Sequence, residues 1–164
     1  MTVRAFVALG SNLGDRVENL AAALRALEAT TGVRVVAVSQ AYETEPWGVA
    51  DQPAFANAVA AIDTDRSALG LLDACKRIER ELGRLEGERF GPRLIDIDVL
   101  LFGDEVVDAL RLTIPHPRML ERDFVVTPLL EIAPDVTLPD GQRPDPAAAL
   151  EGRATGVLGR IPGY

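Results

Sequence analysis

At 164 residues the chain has the length of one ordinary domain, and a domain of that size buries roughly two-thirds of its unfolded surface without disulfide staples. Apolar residues make up 48% and charged residues 26%, which excludes an intrinsically disordered chain. The 17 Lys+Arg stand against 25 Asp+Glu, a formal net charge of -8; this excludes a general binder of nucleic acid or anionic membrane, but not a local arginine cluster around a small anion.

Val3 to Leu9 is almost wholly apolar and stops at Gly10-Ser11-Asn12, which predicts a buried strand. Val17, Leu20, Ala21, Leu24 and Leu27 recur at helical spacing, with Arg16, Glu18, Asn19, Arg25 and Glu28 opposite. A helix is therefore expected from about Asp15 to Thr30. Val33 to Val38 is a second strand, Thr44 to Pro53 an irregular loop, and Phe55 to Ile62 a third strand. Ser67 is placed to cap a second helix whose buried stripe is Leu71, Cys75, Ile78 and Leu82, ended by Gly83. A charged loop follows as far as Pro92, then a fourth strand from Leu94 to Phe102. The chain beyond it is read as turn-rich to Asp135, and about 137–164 as a loosely packed extension.

The order strand, helix, strand, strand, helix, strand predicts an α+β fold: a ferredoxin-like βαββαβ sandwich, one mainly antiparallel sheet with helices on one face, plus additional C-terminal elements. No internal repeat or linker divides residues 1–164, so a single domain is expected. One cysteine, Cys75, permits neither an intrachain disulfide nor a Cys-based metal site. The first residues lack a signal-peptide pattern and no apolar run has the length of a membrane span, so a cytoplasmic location is expected.

Asp96-Ile97-Asp98 lies within the fourth strand. Alternate strand residues share a face, so the two carboxylates point the same way, roughly 6.5 to 7 Å apart, with Ile95, Ile97 and Val99 turned to the helices. Paired carboxylates at this spacing suit Mg²⁺, which keeps coordination positions for phosphates. The other reading is an exposed, solvated sheet face. The cations flanking the pair, namely Arg84, Arg89, Arg93, Arg111, Arg118 and Arg122, favour the metal reading. Arginine forks match phosphate oxygens and several together clamp a polyphosphate, although each arginine taken alone is better explained as a surface ion pair. His116, the only histidine, sits between Pro115 and Pro117; a lone histidine is more often structural than catalytic. Gly10 to Asp15 is either a plain strand-to-helix turn capped by Asp15 or a backbone cradle for an anion. P-loop and kinase signatures are absent.

Leu9-Gly10-Ser11-Asn12-Leu13-Gly14-Asp15, Arg89-Phe90-Gly91-Pro92-Arg93-Leu94-Ile95-Asp96-Ile97-Asp98, Leu112-Thr113-Ile114-Pro115-His116-Pro117 and Pro128-Leu129-Leu130-Glu131-Ile132-Ala133-Pro134 stand in one collinear register. Together they resemble the 6-hydroxymethyl-7,8-dihydropterin pyrophosphokinases of folate synthesis over residues 3–135, leaving 137–164 as a variable extension. The resemblance implies transfer of the ATP pyrophosphoryl group to the pterin hydroxymethyl with release of AMP. It implies two Mg²⁺ held by Asp96 and Asp98, and catalytic roles for Arg84, Arg93, Asp96 and Asp98. ATP contacts are implied for Lys76, Glu79, Arg84, Phe90, Arg93, Ile97, Arg111, Leu112, Thr113, His116 and Arg122. Pterin contacts are implied for Thr44, Pro46, Trp47, Gly48, Phe55, Asn57, Asp96 and Phe124. The implied partners are ATP and the dihydropterin only, with no nucleic acid or membrane, and a monomer is expected. A competing reading is another two-metal nucleotide-dependent transferase on this fold; a second is a non-catalytic small-molecule binder.

Two positions depart from the family pattern: Glu86 stands where a second arginine is common, and Phe90 where tryptophan is. The resemblance implies that this loop closes over bound substrates, where Glu86 would set a negative charge against ATP. The Glu86→Arg variant is therefore expected to lower the ATP KM or raise turnover by about threefold or more, read from steady-state kinetics at fixed salt; unchanged kinetics would contradict this.

Overall fold

A computed structural model describes residues 1–46, 51–83 and 94–164. Strands β1 (Val3–Ser11) and β4 (Phe55–Thr64) pair antiparallel at the centre of a six-stranded sheet. The strand β5 (Asp96–Phe102) pairs with the other edge of β1. The far edge of β4 is taken in turn by β2 (Val33–Val38) and β3 (Ala41–Thr44), two segments of one broken strand. The break falls at Ser39, whose N–H donates to the Val59 carbonyl while its hydroxyl accepts from the Val59 N–H. This order, with helix α1 (Arg16–Glu28) between β1 and β2 and helix α2 (Ala68–Gly83) between β4 and β5, is the ferredoxin-like arrangement expected.

Both helices start as the sequence predicts. The Asp15 carboxylate accepts from the Glu18 N–H at 3.1 Å, and the Ser67 hydroxyl accepts from the Gly70 N–H at 3.0 Å. Leu20, Leu24 and Leu27 of α1 and Leu71, Cys75 and Ile78 of α2 are buried against Val7, Leu9, Ala58, Ala60, Ile97 and Val99 of the sheet. This core layer supplies the main stabilisation by removal of apolar surface from water.

Three expectations need correction. First, helices cover both faces. Helix α3 (Asp123–Ile132) lies in the stretch read as turn-rich, and packs Val125 and Leu129 against Ala8, Val59 and Leu100 on the sheet's second face. Pro128 inside α3 removes one backbone donor and argues against a helix locally, but burial of its apolar side outweighs that loss. Second, Thr44, read as the start of the irregular loop, is instead the last residue of a strand, Ala41–Thr44. Third, the C-terminal stretch is not loosely packed. Beyond the short hairpin of β6 (Val107–Asp108) and β7 (Thr113–Ile114), the C-terminal strand β8 (Ala154–Gly159) pairs with β3 at the sheet edge, and Leu138, Ala149 and Ile161 are buried.

The Tyr42 hydroxyl on β3 donates to the Glu131 carboxylate on α3. Burial, together with that acceptor, pushes the Tyr42 phenol up to about 12. The folded state then holds its proton more tightly than the unfolded chain, whose tyrosines titrate near 10. Stability from this contact is fully present below pH 10 and is lost as pH rises from 10 towards 12. Thermal melts between pH 9 and 11.5 should show a steeper alkaline loss for the native chain than for Tyr42→Phe; parallel curves would contradict this.

Candidate active site

A cavity of about 320 Å³ opens on the sheet face that carries Asp96 and Asp98. Their alternation with Ile95, Ile97 and Val99, all nearly inaccessible, is the one read from sequence. From β1 the cavity takes Ala8, Leu9 and Gly10; from β3 and the residue after it, Thr44 and Glu45; from β4, Phe55 and Asn57. Lys76 and Glu79 enter from α2, His116 from the loop ahead of α3, and Arg122 and Phe124 from the start of α3.

Two of these walls are chemically distinct. Phe55 and Phe124 bring two aromatic rings to the same cavity as the Asn57 amide, which donates to the Thr44 hydroxyl at 2.6 Å in a buried pair. Gly10 faces this amide so closely that a Cβ there would stand 2.6 Å from Asn57 Oδ1, so no side chain fits without displacing it. The other group of lining residues is charged. Lys76 Nζ lies 2.9 Å from Glu79, and the other Glu79 oxygen accepts from the Ile97 N–H at 3.3 Å, tying α2 to the carboxylate strand. The Arg122 guanidinium stands 5.4 Å from the Phe124 ring centroid. Burial lowers the Arg122 pKa from its usual value, opposed by the nearby Asp98 charge.

A second cavity of about 250 Å³ adjoins the first. Leu72, Ile97, Val99 and Leu112 give it an apolar side, with Arg111 and Thr113 at its margin. Lys76, Asp98 and His116 line both cavities, so the charged residues sit where the two spaces meet. Burial lowers the His116 pKa, and the Asp98 charge opposes that shift. The Arg118 N–H donates to His116 Nδ1 at 3.2 Å, so in the neutral ring the proton sits on Nε2.

The structure thus brings together Asp96, Asp98, Lys76, Glu79, His116, Arg122, Thr44, Phe55, Asn57 and Phe124, and sets Ile97, Arg111, Leu112 and Thr113 next door. Arg111 is exposed and paired with Asp73. Arg118 is directed elsewhere, to Glu121 and in a two-pronged contact to Glu151 at 2.7 and 2.8 Å, so for this residue the surface-pair reading holds. Pro46 is half-buried and outside the described lining, where Glu45 stands instead. Trp47, Gly48, Arg84, Phe90 and Arg93 lie outside the described residues, as do Glu86 and Arg89. Ala8 and Leu9 were missed as lining residues because a buried strand end reads from sequence only as core. The turn after Gly10 serves as a helix start, with Asn19 bonding the Leu13 carbonyl at 2.7 Å.

Among the described residues no three metal-ligating side chains cluster. The donor set is two carboxylates on one cavity face, flanked by cationic side chains. That set fits Mg²⁺, which binds through one or two carboxylates and fills its remaining positions with phosphate oxygens and water.

Paired carboxylates beside cationic and aromatic side chains in one cavity are the kinds of group a phosphoryl-transferring enzyme uses. The family model for 7,8-dihydro-6-hydroxymethylpterin-pyrophosphokinase matches residues 6–134, and the chain belongs to that family. It is 51% identical over 142 residues to the 2-amino-4-hydroxy-6-hydroxymethyldihydropteridine pyrophosphokinase of Pseudomonas aeruginosa, covering 87% of this chain and 88% of the relative. To the protein of the same name from Haemophilus influenzae it is 48% identical over 140 residues, covering 85% and 88%. In fold it resembles the crystal structure of Plasmodium falciparum HPPK-DHPS, with a TM-score of 0.65 at 14% identity over 93% of this chain and 44% of that one. The chain is accordingly a pyrophosphokinase, a transferase of folate biosynthesis. Among the described residues no helix is long and apolar enough to cross a membrane.

Proposed function

We propose that this chain transfers the pyrophosphoryl group of ATP to the hydroxymethyl of 6-hydroxymethyl-7,8-dihydropterin, giving the pterin diphosphate and AMP. The observation that carries the reading is the division of one continuous site. An aromatic and amide slot of Phe55, Phe124 and Asn57 meets an apolar and basic space at Asp98, Lys76 and His116. A flat heterocycle with a polar edge suits the first, because rings stack on its faces and an amide offers both donor and acceptor. A nucleotide triphosphate suits the second, with its base over Ile97 and Leu112 and its phosphates towards Arg111, His116 and Arg122. In this reading Arg84 and Arg93 add phosphate contacts, Phe90 and Thr113 nucleotide contacts, and Thr44, Pro46, Trp47 and Gly48 the pterin edge.

Asp96 and Asp98 are the residues that would hold two Mg²⁺. When bound, the ions supply charge neutralisation at the phosphate oxygens. The chain's own residues orient the two substrates so that the pterin oxygen lies in line with the β-phosphorus. Lys76, His116 through its Nε2–H, and Arg122 stabilise charge that grows on the transferred group and on the departing AMP. Glu79 holds Lys76 in reach of that junction. The enzyme is proposed to work as a cytoplasmic monomer with residues 1–164 forming one domain, and without nucleic acid or membrane partners.

Chromatography of a reaction containing ATP, Mg²⁺ and the hydroxymethyl dihydropterin tests the proposal. Equimolar AMP and pterin diphosphate, abolished by excess chelator, is the expected outcome. Release of inorganic pyrophosphate would favour a nucleotidyltransferase, and absence of turnover with retained ligand binding would favour a binding module.

A further inference from the structure

The C-terminal chain is tied directly to the start of α3, where two cavity residues sit. The Glu151 N–H donates to the Glu121 carbonyl at 3.0 Å, and the Asp123 N–H donates to the Glu151 carbonyl at 2.8 Å. The Ala154 N–H donates to Asp123 Oδ2 at 2.8 Å, and the Thr127 hydroxyl donates to the other oxygen of the same carboxylate. One residue before Ala154, the Arg153 carbonyl accepts from the Glu45 N–H on the cavity wall at 3.0 Å. Between these bonds lies Gly152, buried and with φ of 60°. A Cβ there would stand 2.3 and 2.8 Å from Cδ1 and Cε1 of the Phe124 ring. The backbone of Gly152 is therefore the surface against which this ring rests, and no other residue type leaves the ring where it is.

Resting on the function proposed above, we infer that Gly152 is a positioning residue. By leaving no room beside the Cδ1–Cε1 edge of Phe124, it fixes the position of that ring in the cavity wall and with it the affinity for the flat heterocycle. A methyl at position 152 displaces the ring from its place in the cavity wall, whereas the second cavity, lined by Leu72, Ile97 and Leu112, does not include Phe124.

The test is a cycle of Gly152→Ala, Phe124→Ala and the double variant, measured for the KM of each substrate, kcat and the thermal midpoint. Gly152→Ala should raise the dihydropterin KM by about tenfold, the scale of one lost ring stack, and leave the ATP KM within about twofold. In the Phe124→Ala background the same methyl should change the dihydropterin KM by less than about twofold, because the ring it strikes is gone. The left-handed backbone strain is present in both backgrounds and cancels in the cycle. Equal increments in both backgrounds, or a dihydropterin KM unmoved by Gly152→Ala, would overturn the inference. If Gly152→Ala alone does not fold, recovery of folded protein in the double variant supports the ring contact, and failure of both overturns it. If the native chain does not turn over the dihydropterin, the proposed function fails instead. The thermal midpoints still decide the contact in that case: a loss smaller with the ring removed supports it, and an equal loss does not.

Discussion

Asp98→Ala is expected to lower the rate of AMP formation at saturating substrates by about 10³-fold or more, because about 4 kcal/mol of charge stabilisation at the transferring phosphate is lost. The fold should survive. Asp98 is half-buried on a cavity face, with Lys76 and His116 beside it rather than packed core. Removing one of two like charges relieves repulsion as well as losing attraction, so stability should change by no more than about 1 kcal/mol. Asp96→Ala is expected to behave in the same way. Circular dichroism and a thermal melt establish folding, and a coupled assay for AMP gives the rate. A folded Asp98 variant with near-normal turnover would contradict the assigned role.

Asn57→Ala should produce the next largest effect, of a different kind. The Asn57 amide donates to the Thr44 hydroxyl in a buried pair, and Thr44 is almost inaccessible. Truncation leaves that hydroxyl without its partner and costs about 1–3 kcal/mol of stability. The same change removes the donor and acceptor proposed to read the pterin edge. The dihydropterin kcat/KM should fall by about 10²-fold, since a site built for hydrogen bonding is left with unmet polar groups. The ATP KM should stay within about twofold of the native value. Equal losses for both substrates would show that Asn57 supports the whole cavity rather than the pterin edge.

What could be read in advance follows the reach of local patterning. The apolar stripe of α1, the Val-rich β2 and the alternation of Asp96 and Asp98 with Ile95, Ile97 and Val99 are short-range signals, and each appears in the structure. Helix α3 was hidden because Pro128 and a run of only ten residues weaken the local signal, while the burial of Val125 and Leu129 that stabilises it depends on β4 and β5. Strand β8 was hidden for a related reason. Its residues are mostly exposed, and its stability comes from hydrogen bonds to β3, a pairing distant in sequence. The site divides likewise. Carboxylates and arginines were visible as residue types, but that Arg122 turns into the cavity while Arg118 turns to Glu151 depends on where the C-terminal chain returns. Net charge, a sum over the whole chain, gave no sign of the cationic side chains gathered beside the carboxylates.

The position of isotope in the product tests the account most directly. With Mg²⁺ and the hydroxymethyl dihydropterin, ATP labelled separately at its β- and γ-phosphorus should in both cases transfer the label to the pterin product, leaving AMP unlabelled. Transfer of the γ-label alone, with the β-label retained in ADP, would contradict pyrophosphoryl transfer and with it the proposed roles of the junction between the two cavities.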